Sequence, residues 1–348
     1  MIAYVYMGLA CIFFALQYIF SKLYQKNTDG SNNASSWNLL LITIFSLIYL
    51  VATDIISKGF DNSFINNSYN AVVNVFSGGI SFSEIPPSFW LAIFNTAMNI
   101  VYIFTSIPAM KRGKLSIINV YMLLGGMVLP FLYGLLFLGE TPTPIHYVGV
   151  AIIILSLFPS VIWDTNKQDE KLGKNNHFIF TILCILVFLS NGLFCVTIKA
   201  QAIAGDGVSS SDFLTLAALF RLVFAIFAVL FFAFKIKKKN PGLSLRKASL
   251  KGIGKTENLK GFLVVTSFTA LYAVVNTLGN FFELESAETL DATVQFTVAN
   301  PVIIILSAFI GWVCFKEKLK KPDYLSLGLA LLGILVFAFA EMKVNGII

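Results

Sequence analysis

Two apolar stretches of the chain carry amide and phenol side chains at helical spacing. Within each stretch the polar residues follow one another at intervals of three or four, which places them on one face of a helix. The two sets are Asn95, Asn99, Tyr102 and Ser106, then Tyr272, Asn276, Asn280 and Glu283. Because amides donate and accept hydrogen bonds and tyrosine joins an apolar ring to a polar tip, these faces predict a binding site for a neutral or zwitterionic organic molecule. The same groups could instead hold neighbouring helices together.

Other polar residues inside apolar stretches extend this predicted substrate-binding set. They are Gln17, Asn119, Asn191 and Gln295. Asn300 precedes Pro301, and this pair either opens a backbone carbonyl towards a cavity or only kinks its helix.

Arg221 is the one basic residue deep inside an apolar stretch. It follows Asp212 by nine residues, which is about 14 Å along a helix rising about 1.5 Å per residue. A charge at that depth needs a partner, which could be a cavity, backbone carbonyls, a carboxylate such as Glu283, or an anionic group of a substrate. Glu283, near a helix end, is also the predicted candidate for ion coupling.

The remaining reactive residues predict no catalytic or metal site. The segment 252–256 imitates the end of a phosphate-binding loop, but Ser249 stands where its first glycine is required. No G-x-S-x-G nucleophile elbow is present. The cysteines and histidines lack the spacing of a zinc site, and they are Cys11, Cys184, Cys195, Cys314, His146 and His177. We therefore expect no enzyme activity, no cofactor and no bound metal.

Glu140 and Glu317 each follow an apolar stretch beside turn residues. A carboxylate in that position can remain solvated or bond the start of the next helix. We expect structural capping rather than catalysis.

The elements that position these residues are membrane-spanning helices. The chain is 57% hydrophobic and only 12% charged, against about 25% charged in soluble domains. Ten apolar runs are long enough to cross a bilayer, and helices are required because lipid offers the backbone no hydrogen bonds. The predicted helices are 3–22, 36–56, 89–110, 115–138, 144–162, 177–199, 212–235, 261–282, 291–315 and 322–341.

An internal repeat appears when the chain is shifted by 177 positions. Identical residues then coincide at equivalent points of their spans: Lys22 with Lys199, Asn99 with Asn276, Phe104 with Phe281, Glu140 with Glu317, and Tyr147 with Tyr324. Five helices per half is an odd number, so the second half is inverted relative to the first. The fold class predicted is an all-α membrane protein of two inverted five-helix repeats, residues 1–162 and 177–341, with an inter-repeat loop 163–176 and a tail 342–348.

The segments FLGETPTPIHYVGVAIIILSLF (137–158) and FKEKLKKPDYLSLGLALLGILVFAF (315–339) resemble the endings of the fourth and ninth helices of the drug/metabolite transporter superfamily, EamA type. The resemblance covers both halves of the chain. It implies a ten-helix carrier whose central cavity is lined in part by the third and eighth helices, with both termini commonly in the cytoplasm.

The distribution of charge predicts the opposite orientation. Of the 25 Lys and Arg residues, 21 lie in odd-numbered connections and only Lys58 and Lys199 in even-numbered ones. The positive-inside rule then places the odd connections in the cytoplasm and both termini outside. The basic connection Lys235–Lys260 is expected to contact anionic lipid headgroups rather than nucleic acid.

These patterns predict a secondary transporter of the cell membrane that moves a small organic metabolite or drug by alternating access, with efflux among the expected activities. A nucleotide-sugar or phosphorylated-metabolite exchanger is an alternative, which ought to show several basic residues in its cavity. A non-transporting receptor or scaffold is an alternative of another class. No sequence feature selects an oligomeric state.

Overall fold

The computed structural model describes residues 2–28, 31–59, 86–112, 115–156, 158–159, 174–251, 259–316 and 321–344, and all regular structure in these ranges is helical. The helices are α1 (Ile2–Asn27), α2 (Asn32–Lys58), α3 (Pro87–Arg112), α4 (Leu115–Phe137), α5 (Pro144–Ser156), α6 (Lys174–Ala202), α7 (Ser210–Lys239), α8 (Leu245–Leu250), α9 (Leu259–Ala287), α10 (Ala292–Phe315) and α11 (Lys321–Val344).

Each predicted segment overlaps a helix, and residues 157 and 160–162 of the fifth predicted segment, 144–162, lie outside the described residues. The helix α8 is an additional six-residue helix in the basic connection. In the described ranges, eight helices are long and apolar enough to cross a membrane, whereas the apolar runs of α4 and α5, Tyr121–Phe137 and Pro144–Ser156, are shorter. The described part of the chain is therefore all-helical and fits a multi-pass membrane protein. That all ten long helices span the bilayer stays a prediction.

Apolar side chains on outer faces are what the lipid environment requires of these helices. On α7, Phe227, Phe231 and Phe234 recur at helical spacing and are all exposed. A row of exposed phenylalanine rings would be unfavourable in water, but it is expected on a surface that contacts lipid acyl chains.

Serine residues fix the starts of three helices. Ser31, Ser209 and Ser244 stand at the N-caps of α2, α7 and α8, and each side chain accepts a hydrogen bond from the backbone N–H three residues later. These bonds satisfy amides that have no partner within the helix.

The chain divides into two compact units that draw on both halves of the sequence. Unit 1 comprises Met1–Ile19, Ala97–Lys199 and Glu285–Ile348, and unit 2 comprises Phe20–Thr96 and Ala200–Leu284. In unit 1, α5 packs on α11 and α4 on α10, and in unit 2, α2 packs on α7. Each of these pairs joins a helix to its counterpart under the shift of 177 residues. The pairing is what a pseudo-twofold repeat would produce, and the inverted repeat remains a prediction.

Glycines allow close helix packing in unit 1. A Cβ on Gly149 of α5 would lie 3.2 Å from the Gly333 carbonyl oxygen, and a Cβ on Gly333 of α11 would lie 2.6 Å from the Ile153 side chain. Small residues at such crossings let membrane helices gain van der Waals contact.

In unit 2, Asp206 of the α6–α7 connection holds the start of α3. Its carboxylate accepts hydrogen bonds from the Ser88 backbone N–H (2.8 Å) and hydroxyl (3.0 Å), and from the Val208 N–H (3.3 Å). Partial burial opposes ionisation, but these bonds outweigh it and hold the pKa of the Asp206 carboxyl below its usual range. At neutral pH the Asp206 carboxyl is therefore ionised, which is the form that accepts these bonds.

Candidate functional site

Most of the predicted site residues lie within helices yet keep part of their surface accessible. They are Gln17, Asn99, Tyr102, Asn191, Arg221, Tyr272, Asn276, Asn280 and Glu283. A polar side chain at this depth must face either lipid or a water-filled cavity, and exposure to lipid is costly. Their partial accessibility favours a cavity-lining role.

Two predicted residues are enclosed instead. Asn95 is 2% exposed and Gln295 is 1% exposed. The Gln295 side-chain nitrogen donates to the Ser286 hydroxyl at 2.8 Å, which joins α10 to the last turn of α9. Asn119 is on α4, and its side chain lies outside the described residues. A substrate contact by these three residues stays a prediction.

The polar face of α9 is held together by its own hydrogen bonds. The Asn280 Nδ2 donates to the Asn276 carbonyl oxygen at 2.7 Å and to Asn276 Oδ1 at 3.1 Å. The Thr277 hydroxyl, one residue further round the helix, donates to the Ser46 hydroxyl of α2 at 3.0 Å. This bond fixes the rotation of α9 within unit 2.

Arg221 of α7 belongs to the same unit. Its guanidinium lies close enough to Tyr272 for the two groups to interact electrostatically. Its Nε atom is buried and, among the residues that the structure describes, has no hydrogen-bond partner. The helix carrying it is anchored by the Thr96 hydroxyl, which donates to the Ala217 carbonyl oxygen at 2.9 Å. The result is a partly accessible cation at mid-span of an anchored helix.

In unit 1, a second polar group surrounds Met122 of α4. The Tyr102 hydroxyl lies 3.0 Å from Met122 Sδ, and Asn191 Nδ2 of α6 donates to the Met122 carbonyl oxygen at 2.9 Å. Under the shift of 177, Met122 corresponds to Ala299, whose carbonyl oxygen accepts a weak bond from Cys11 Sγ of α1 at 3.7 Å. Equivalent carbonyls of the two halves thus receive side chains from the first helix of the opposite half.

Glu140 acts as a cap, but on a helix other than the one expected. Its two carboxylate oxygens accept from the backbone N–H groups of Ala292 (2.8 Å) and Thr293 (2.9 Å), the first residues of α10. The carboxylate is thus neither left to solvation alone nor bonded to the next helix, α5, and its structural role is the cap of α10. The α10 N-terminus provides unpaired amides and a favourable dipole for a carboxylate. Glu317 lies outside the described residues.

Lys199 is a structural residue whose role the sequence did not reveal. It is 4% exposed, and its Nζ donates to the carbonyl oxygens of Ala287 (2.8 Å) and Leu290 (2.6 Å). It also interacts electrostatically with Glu140 and Asp291. The end of α6 is thus tied to the connection between α9 and α10.

In the ranges that the structure covers, no group of three or more His, Cys, Asp or Glu side chains could hold a metal ion. All four cysteines are free thiols.

A helical membrane fold with partly accessible polar groups inside its spans is typical of a multi-pass transport protein. Residues 178–339 match the EamA-like transporter family, which places this part of the chain in the drug/metabolite transporter superfamily and confirms the resemblance there. A comparison with curated proteins finds no match. A solved crystal structure of another protein shares the fold, with a TM-score of 0.61 and 13% identity over 97% of each chain.

Proposed function

We propose that the protein is a secondary transporter that moves a small organic metabolite or drug across the cell membrane by alternating access. The observation that carries this proposal is the partial accessibility of Asn99 and Asn276, polar residues at mid-span of α3 and α9. Both helices are long and apolar enough to cross a bilayer. The family match agrees with transport rather than catalysis.

The charges inside the spans favour an organic substrate with at most one anionic group. Within the described ranges, Arg221 is half-buried and its Nε has no hydrogen-bond partner, whereas Lys199 is enclosed and its Nζ donates to two backbone carbonyls. A phosphorylated substrate would call for several accessible cations. The nucleotide-sugar alternative is therefore less well supported. Glu283, half-buried near the end of α9, is the proposed participant in ion coupling.

A ligand screen tests whether the chain binds such molecules. A ligand that binds only the folded protein raises its thermal stability by RT ln(1 + [L]/Kd). Purified full-length protein should be stabilised by some members of a panel of amino acids, nucleosides and cationic drugs, and the same compounds should cross proteoliposome membranes. Stabilisation without any flux would support the receptor alternative.

Replacing either Asn99 or Asn276, one from each polar helix face, is expected to impair transport more than folding. Asn99→Leu and Asn276→Leu remove donors and acceptors from the transport path, while a hydrogen bond between membrane helices contributes only about 0.6 kcal/mol on average. Transport in proteoliposomes and thermal stability are measured side by side. Ser267→Leu, on an exposed face of α9, is the matched control. Full transport by both asparagine variants and by the double variant would contradict the lining role.

The orientation proposed from the charge bias has a direct test. Thr141 and Gly242 are exposed in even- and odd-numbered connections, and a side chain at Gly242 meets no atom within 4 Å. In a Cys-free background, Thr141→Cys should react with an impermeant thiol reagent in intact cells, and Gly242→Cys should be protected. The reverse pattern would place both termini in the cytoplasm.

A further inference from the structure

Two adjacent glycines of α4 meet very different neighbours in unit 1. A Cβ on Gly125 would collide with the Phe188 carbonyl oxygen, which belongs to the α6 backbone. A Cβ on Gly126 would lie 2.7 Å from Asn191 Nδ2 and 3.3 Å from Asn300 Nδ2. Gly125 therefore permits helix packing, whereas Gly126 leaves room for two carboxamides on α6 and α10.

Both carboxamides are oriented through their nitrogen atoms. Asn191 Nδ2 donates to the Met122 carbonyl oxygen at 2.9 Å, and Asn300 Nδ2 donates to the Phe296 carbonyl oxygen of its own helix at 3.0 Å. In the described part of the chain, neither Oδ1 receives a hydrogen bond. Both side chains are half-buried at mid-span, so the arrangement presents two unused acceptors.

We propose that the Oδ1 atoms of Asn191 and Asn300 form an acceptor subsite for the ammonium group of the transported molecule. Gly126 determines the specificity of this subsite, because the absence of a side chain there leaves space for the two asparagine side chains. The inference rests on the proposed transport function and adds a substrate class to it. An ammonium group carries three donors and no acceptor, which matches a pair of carbonyl oxygens. Asn300 does not serve to hold two helices together through its hydrogen bond, because that bond is to a carbonyl oxygen of its own helix.

Three test compounds share a phenyl ring on a two-carbon chain and differ in which charged groups they carry. They are phenylalanine (ammonium and carboxylate), phenethylamine (ammonium only) and 3-phenylpropionate (carboxylate only). Binding to full-length protein in detergent is measured by thermal shift and by titration. Asn300→Ala and Gly126→Ala are each expected to weaken both amines about tenfold to a hundredfold, because a hydrogen bond to a charged group is lost. Binding of 3-phenylpropionate should not change.

The two glycines supply a matched pair of variants. Gly126→Ala meets only side-chain ends that can rotate away, so its folded yield should be close to that of the wild type. Gly125→Ala meets backbone and should lower thermal stability without changing the preference among the three compounds. Asn300→Ala keeps the test valid if Gly126→Ala does not fold.

Wild-type affinity for both amines in Asn300→Ala and in a folded Gly126→Ala would overturn the subsite. An equal loss for all three compounds would also overturn it. If the wild type binds neither amine, the subsite is wrong; binding and flux of other compounds in the broader panel would then leave the transport function intact, whereas a panel without hits would count against both.

Discussion

Lys199→Met is expected to lower the free energy of unfolding by about 3 kcal/mol, since each buried carbonyl left without a partner costs about 1–3 kcal/mol. Two such carbonyl oxygens, those of Ala287 and Leu290, lie 2.8 and 2.6 Å from the Lys199 Nζ. Loss of the cation also removes a favourable interaction with Glu140, whose carboxylate holds the first amides of α10. The measurement is thermal and denaturant unfolding of the purified protein.

Lys237→Met is the matched control for this experiment. Lys237 is exposed in the last turn of α7, so the same substitution there removes a cation without leaving a buried carbonyl unpartnered. Such surface substitutions usually change stability by about 0.5 kcal/mol or less. If Lys199→Met proved as stable as Lys237→Met, the buried contacts of Lys199 would not support the fold.

The helices could be predicted closely because lipid leaves the backbone no alternative. That the polar residues of α9 share one helix face was also predictable, since this depends only on their spacing. The hydrogen bond between the Asn280 and Asn276 side chains confirms that these two residues lie on the same face. The six-residue α8 was missed because it is short and polar. It is held by tertiary bonds, in which Trp37 Nε1 and Asn33 Nδ2 donate to the Ser249 carbonyl oxygen, each at 2.7 Å.

Contacts between distant segments explain what the sequence could not reveal about the site. Glu140 bonds amides 152 and 153 residues away, and local reasoning points only to the adjacent helix. Gly125 and Gly126 are neighbouring residues of the same type, and the sequence does not distinguish their roles. In the structure Gly125 faces the backbone of α6, whereas Gly126 faces the side chains of two asparagines. Asn95 and Asn99 share a helix face, but only Asn99 remains accessible. Which polar residues of one helix face are enclosed depends on the neighbouring helices.

Arg221→Gln is expected to weaken binding of an acidic ligand by about tenfold to a hundredfold, the loss of a charge-assisted hydrogen bond. The guanidinium lies at mid-span of α7 and interacts electrostatically with Tyr272, and its buried Nε has no hydrogen-bond partner in the part of the chain that the structure describes. Inserting such a charge costs roughly 2.5–3.5 kcal/mol, which a substrate carboxylate would offset during transport. The measurement is titration with 3-phenylpropionate, or with any acidic compound that stabilises the wild type.

Arg221→Lys separates charge from geometry at the same position. Lysine keeps the cation but lacks the planar pair of donors, so it should retain more affinity for the acid than glutamine does. Phenethylamine, which has no carboxylate, should bind both variants like the wild type. Tyr272→Phe removes the hydroxyl beside the guanidinium and should change acid binding less than Arg221→Gln, since the cation remains. Wild-type affinity for the acid in a well-folded Arg221→Gln protein would exclude substrate contact and leave Arg221 a structural role within unit 2.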